Sequence, residues 1–267
     1  MSLRDKFWMW GYAQEKPGTV VPFCGSIRSH CSLETAASYF GMPNVVFMNG
    51  MHSQERLEEN LALIQDSKQI LCGLPHGQEQ ALAAASRLVE LAKRFPAIRG
   101  VVLDDFLQLS GHPTTTEGIA AIRRALEPAG LELFVVMYSD VNHLELTPYL
   151  PLIDGIILWR WVSTEHFWRA EFGPLIHRFK AEYGKKLFHG LYLQNFGEHS
   201  SSMCPQEFEL WKMQCMKVLE ALRGSYAFLD GCVLLQNAHV SHPMFRDHVI
   251  WFKQTLDWFL ATTTERA

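Results

Sequence analysis

Eight times along this chain a short apolar run of strand type gives way to apolar residues at helical spacing, and that alternation leaves few folds open. The strand-type runs are residues 6–12, 44–49, 69–74, 99–106, 133–138, 155–159, 186–193 and 231–236. Between them, helical spacing is set first by Leu33, Ala36, Ala37 and Phe40, then by Leu57, Leu61 and Ile64, then by Leu88, Leu91 and Phe95, and then by Ile119, Ile122 and Leu126. A short helical piece follows the fifth run. The spacing returns with Phe172, Ile176 and Phe179, with Phe208, Trp211, Cys215 and Val218, and with Phe245, Val249, Phe252, Leu256 and Phe259.

The runs are apolar throughout rather than alternating, as strands buried on both faces must be, and parallel strands need a helical crossover between neighbours. Eight such units in 267 residues fit a (β/α)8 TIM barrel, a fold of about 250 residues. A doubly wound sheet is the alternative, but eight units without a break in composition favour closure. No Pro/Gly/Ser-rich linker or charge block divides the chain, so residues 1–267 read as a single domain. Local signals punctuate the units. Gly41 and Gly130 stop helices, Thr114 to Glu117 reads as a capping box, Pro205 suits the first turn of a helix, and Pro243 opens the last one.

A net charge of −4, with no cluster of Lys and Arg, disfavours nucleic acid as a partner. No run of about 18 apolar residues is present to span a membrane, and the aromatic N-terminus lacks the features of a signal peptide. Six scattered cysteines without a CxxC pair read as reduced thiols of a cytoplasmic protein; only Cys24 and Cys31 are near enough in sequence to raise a disulfide or metal question. No GxGxxG motif opens a helix and no glycine-rich phosphate loop follows runs seven or eight, so neither a cofactor nor a phosphorylated substrate is expected.

In a barrel of this kind the site lies at the C-terminal ends of the strands. Those ends carry Trp10 and Tyr12, Asn49, His76, Asp104 and Asp105, Tyr138 and Asp140, Trp159, Arg160 and Trp161, Tyr192, Gln194 and Asn195, and Gln236 and Asn237. Aromatic rings among neutral amides suit a polyhydroxylated ligand such as a sugar. Asp104 and Asp105 are the leading catalytic candidates, because a carboxylate in a narrow mouth is costly unless paired or used. Strand alternation sends one of them into the mouth and the other toward the helix layer or the following loop. A second acid is then needed, and Asp140 is the preferred partner, with Glu198 next and Glu165 also following a strand.

At Val101-Val102-Leu103-Asp104-Asp105-Phe106 the chain resembles the barrel glycoside hydrolases that place a catalytic Asp at the end of strand four. That resemblance implies a carbohydrate-processing hydrolase acting on a small-molecule or oligosaccharide substrate. It is not the chitinase-like pattern DxxDxDxE, and the α-galactosidase-like families carry an Asp after strand six, where Trp159-Arg160-Trp161 stands here. Two other readings stay open. One is a metal-dependent hydrolase, isomerase or lyase that uses loop histidines (His52, His76, His112, His143, His199, His239, His242) with the Asp pair. The other is a barrel that binds sugar without transforming it.

Overall fold

The computed structural model describes residues 2–12, 31–48, 56–107, 115–140, 143–196, 204–223 and 227–263. Eight parallel strands close into a barrel in chain order: β1 (Phe7–Gly11), β2 (Asn44–Phe47), β3 (Gln69–Gly73), β4 (Ile98–Leu103), β5 (Glu132–Tyr138), β6 (Gly155–Trp159), β7 (Lys186–Tyr192) and β8 (Gly231–Leu235). Closure is made by β1 against β8, with Phe7 opposite Cys232 and Trp10 opposite Leu235. The expected TIM barrel is therefore the observed fold.

The helices around it are α1 (Leu33–Phe40), α2 (Leu57–Leu63), α3 (Gln78–Ala92), α4 (Thr116–Leu126), α5 (Phe172–Tyr183), α6 (Phe208–Ala221), a single turn α7 (Asn237–Val240) and α8 (Arg246–Thr262). Behind β5 the layer is filled by a 3-10 run, His143–Leu152, whose Pro148 and Pro151 cannot serve an α-helical ladder. Among the described residues no helix is long and apolar enough to cross a membrane.

Three local readings shift. The cap of α4 is Thr115, whose hydroxyl accepts from the Gly118 amide at 3.0 Å; with glycine three residues on, this is a single cap rather than the box expected at Thr114 to Glu117. Pro205 lies before α6 and forms an antiparallel bridge with Gln194, while Glu207 caps the helix by accepting from the Leu210 amide at 2.8 Å. Pro243 opens a 3-10 turn, Pro243–Phe245, and α8 follows it.

The barrel interior is packed in decks of rings. Trp8 of β1 and Phe134 of β5 both meet Phe188 of β7, at 5.4 and 5.1 Å between centroids, contacts that skip an intervening strand and so must run through the interior. One deck higher, Trp10 of β1 meets Trp159 of β6 edge-on at 5.6 Å. Glycines on neighbouring strands make room for these rings: a Cβ on Gly155 would lie 2.1 Å from Phe134, and one on Gly190 would lie 1.9 Å from Trp159. The lumen is thus filled from below, and a ligand can enter only at the C-terminal mouth.

Candidate active site at the barrel mouth

β4 ends at Leu103, short of the carboxylates. Asp104 and Asp105 lie in the turn beyond it, where Asp105 adopts a left-handed backbone with φ 48°. Aspartate tolerates that region because its short side chain can bond locally, and here the Asp105 amide donates to Oδ1 of Asp104 at 3.1 Å. This corrects the expectation of alternating faces, which holds only within an extended strand. Both carboxylates act on Tyr138 at the end of β5: its hydroxyl donates to Oδ1 of Asp105 at 2.6 Å, and the charges of Asp105 and Asp104 both oppose its ionisation.

Electrostatics act strongly on Asp104. Burial, and then the negative charge of Asp105, push the Asp104 carboxyl up to about 8, against a smaller opposing effect from the Asp105 amide. A carboxyl in that state is protonated at neutral pH and can donate. Tyr138 is itself held well above the ordinary phenol range by burial first, then by Tyr192, Asp105 and Asp104, so its hydroxyl remains a donor.

Beside the acids runs an aromatic wall. Trp161 stacks on Phe196 at 4.7 Å and meets Tyr138 at 5.7 Å and Tyr192 at 6.1 Å edge-on. Tyr192 packs on Trp159 at 4.5 Å, which joins the wall to the upper interior deck and Trp10. Trp161 is only partly buried, whereas Tyr192, Phe196 and Trp159 are buried, so Trp161 is the ring left open to a ligand. The buried indole N–H of Trp10 has no hydrogen-bond partner among the described residues.

The remaining candidates divide. Asn237 is committed to the backbone: its Oδ1 accepts from the Tyr12 amide at 3.1 Å and its Nδ2 donates to the carbonyls of Tyr12 and Cys31. It clasps the ends of β1 and β8, and Tyr12 is buried beneath that clasp. Arg160 points away from the wall. Its guanidinium lies 4.4 Å from the Phe167 ring centroid and donates to Ser139 and to the Val162 carbonyl, so it is not placed to hold a ligand against Trp161. Asp140, the preferred second acid, is exposed, and Glu165 is exposed in a pair with Arg169. Gln194 and Gln236 are buried at the ends of β7 and β8, Asn195 is half-buried, and His76 is exposed. Asn49 and Glu198 lie outside the described residues, as do Cys24, His52, His112, His199 and the side chain of His143.

Three features escaped the sequence reading. Phe196 carries no polar signal, yet its stacking on Trp161 makes the wall. Gln206 and Gln214 hold the end of β7, donating to the carbonyls of Gln194 and Tyr192 at 3.1 and 3.2 Å. Both sit in segments that read as ordinary helix surface.

Among the described residues no three His, Cys, Asp or Glu side chains converge as metal ligands. His239 is buried against Phe245 at 4.4 Å, and burial pushes its imidazole down to about 3. A surface groove of about 660 Å3 lies between α1 and α2 and is lined by Glu34, Tyr39, Met42, Leu63 and Asp66. It lacks the paired acids and the stacked wall, which keep the candidate site at the mouth.

No protein-family model matches the chain, and no curated relative does. Solved structures do. A GH128 endo-beta-1,3-glucanase from Amycolatopsis mediterranei, in complex with laminarihexaose, aligns over 94% of this chain and 99% of its own with a TM-score of 0.60 at 9% identity. A GH99 endo-alpha-mannosidase from Bacteroides thetaiotaomicron aligns over 98% and 99% with a TM-score of 0.62 at 7% identity. A tryptophan synthase alpha-subunit from Pyrococcus furiosus aligns over 96% and 98% at 0.55 and 9%. The barrel is thus shared with glycoside hydrolases and with an enzyme of different chemistry, and at these identities the likeness is one of fold.

Proposed function

We propose that this protein is a glycoside hydrolase that takes an uncharged oligosaccharide into the barrel mouth, with Asp104 as general acid and Asp105 as its ionised partner. The observation that carries the reading is a pair of adjacent carboxyls beyond β4 with unlike partners, the Asp105 amide on Asp104 and the Tyr138 hydroxyl on Asp105. Burial and the neighbouring charge keep the proton on Asp104, while the Tyr138 hydroxyl binds Asp105. Asp104 would protonate the glycosidic oxygen as the bond to the leaving sugar breaks. Asp105 would stabilise the positive charge that develops on the ring, or draw a proton from the attacking water.

The half-open face of Trp161 supports a sugar ring, whose C–H face stacks on an indole, and the unpartnered N–H of Trp10 offers a donor below. The likeness in fold to two glycosidases is consistent with this chemistry. The reading reassigns the acid from Asp140, which is exposed, to Asp104.

The test is release of reducing sugar from a panel of α- and β-linked gluco- and manno-oligosaccharides. Wild type should turn over at least one, and Asp104→Asn should lose about a thousandfold or more in kcat. An activated aryl glycoside, whose leaving group needs no proton, should restore most of that loss. Turnover unchanged in both Asp104→Asn and Asp105→Asn would sink the reading; saturable sugar binding without turnover in wild type would replace it with a binding barrel.

A further inference from the structure

Two carboxyls on adjacent residues are chemically alike, so their partners decide which of them holds a proton more readily. The asymmetry between them lies in their partners. Among the described residues, Oδ1 of Asp104 receives only the Asp105 backbone amide, a 3.1 Å contact, whereas Oδ1 of Asp105 receives the Tyr138 hydroxyl at 2.6 Å. A phenol donating into a carboxylate favours the ionised form of that carboxylate over the acid, and more strongly so when the hydrogen bond is short and shielded from water.

Tyr138 is built to do this. It ends β5, directly beside the turn after β4, and is 6% exposed. Its ring is held edge-on by Trp161, so the hydroxyl cannot swing away without breaking the wall. Among the described residues, the ionisable groups that act on it are Asp104 and Asp105 from the β4 end and Tyr192 from β7. All three are acids, so each opposes loss of the phenolic proton. The Arg160 guanidinium is turned to Ser139 and Phe167.

We propose that Tyr138 is a positioning residue: by donating to Asp105 it fixes the negative charge there and leaves the shared proton on Asp104. Its importance for turnover rests on the hydrolase reading, but the placement of the proton does not, and the two can be tested separately. No covalent step is involved, only the choice between two proton positions.

The experiment is a pH titration followed by carbon-13 NMR of protein labelled at the aspartate side-chain carboxyl, without substrate. Signals are assigned by their loss in Asp104→Asn and Asp105→Asn. In wild type at pH 7 the Asp104 signal should have the shift of an acid and the Asp105 signal that of a carboxylate. In Tyr138→Phe, which keeps the ring, the two signals should move toward each other, and the more acidic step of the pair should rise by about one pH unit. A purely structural tyrosine would lower melting temperature without moving either signal, and unmoved signals in a folded Tyr138→Phe overturn the proposal.

Asp105→Asn guards against a variant that fails to fold. Removing the charge should bring the Asp104 midpoint down toward the ordinary carboxyl range, and a midpoint that stays put also overturns the proposal. If the titration behaves as stated while no glycan is cleaved, the proton placement stands and the hydrolase reading falls.

Discussion

An acid that holds its proton more tightly in the folded protein than in the unfolded chain makes the fold weaken as the pH rises. Asp104 is such a group, with a carboxyl pushed up to about 8 from an ordinary value near 3.8. Below about pH 4 both states are protonated and the group is neutral to stability. Between pH 4 and 8 the unfolded chain releases its proton and the folded one does not, so stability falls with pH across that window. Each unit of separation is worth about 1.4 kcal/mol. Asp104→Asn keeps the oxygen that accepts from the Asp105 amide but removes the proton equilibrium. It should therefore be more stable than wild type by about 2 kcal/mol or more at pH 8, and nearly equal to it at pH 4, in urea unfolding at the two pH values. A difference independent of pH would mean that the Asp104 carboxyl is not held in its acid form. On the proposed reading Trp161, the half-open member of the wall, bears on ligand rather than on fold. Trp161→Ala should raise KM for a cleaved oligosaccharide by about tenfold, equivalent to about 1.4 kcal/mol of lost stacking, with a small change in kcat.

At the scale of elements, one device occurs twice at the opposite end of the barrel. Asp154 and Asp230 each precede the first glycine of a strand, Gly155 of β6 and Gly231 of β8. Asp154 accepts from the Leu133 amide of β5 at 2.8 Å and pairs with Arg123 of α4. Asp230 accepts from the Leu187 amide of β7, also at 2.8 Å, and pairs with Lys180 of α5. Each carboxylate thus ties the start of one strand to its neighbour and to the helix outside. Asp154→Ala and Asp230→Ala should each destabilise by about 1.5–3 kcal/mol, the range for hydrogen bonds to a charged acceptor, while leaving the Asp104 titration where it is. The Asp-Gly repeat stands in the sequence at both places, yet it reads there as a turn signal, because the amides it serves belong to strands more than twenty residues away. Element existence was legible from the continuous apolar runs and the 3.6-residue spacing between them. The ends of elements were not: Thr115 rather than Thr114 caps α4, and β4 stops at Leu103, because caps and strand ends are settled by single hydrogen bonds that periodicity does not register.

Across the whole molecule the interior decks connect stability to the site, and two glycines separate the contributions. Eight units and the aromatic content of the strand ends were enough to read a barrel with its acids at one mouth. Tertiary placement decided the rest: that Asn237 would be consumed by the Tyr12 and Cys31 backbone, that Arg160 would face outward, and that featureless Phe196 would complete the wall. The same placement makes Gly190 and Gly155 unequal. Gly155 lies against Phe134 in the lower deck, whereas Gly190 lies against Trp159, which carries Tyr192 and through it the surroundings of Tyr138. A methyl group at either position would have to displace a ring in a closed, filled lumen, at about 1–3 kcal/mol. Gly155→Ala should register that loss in urea unfolding and leave the Asp104 midpoint unmoved. Gly190→Ala should show a similar loss and also shift that midpoint, because pushing Trp159 moves Tyr192 and with it the donor bound to Asp105. Equal midpoints in the two variants would mean that the decks transmit no strain to the mouth and that the acids are positioned by the β4 and β5 ends alone.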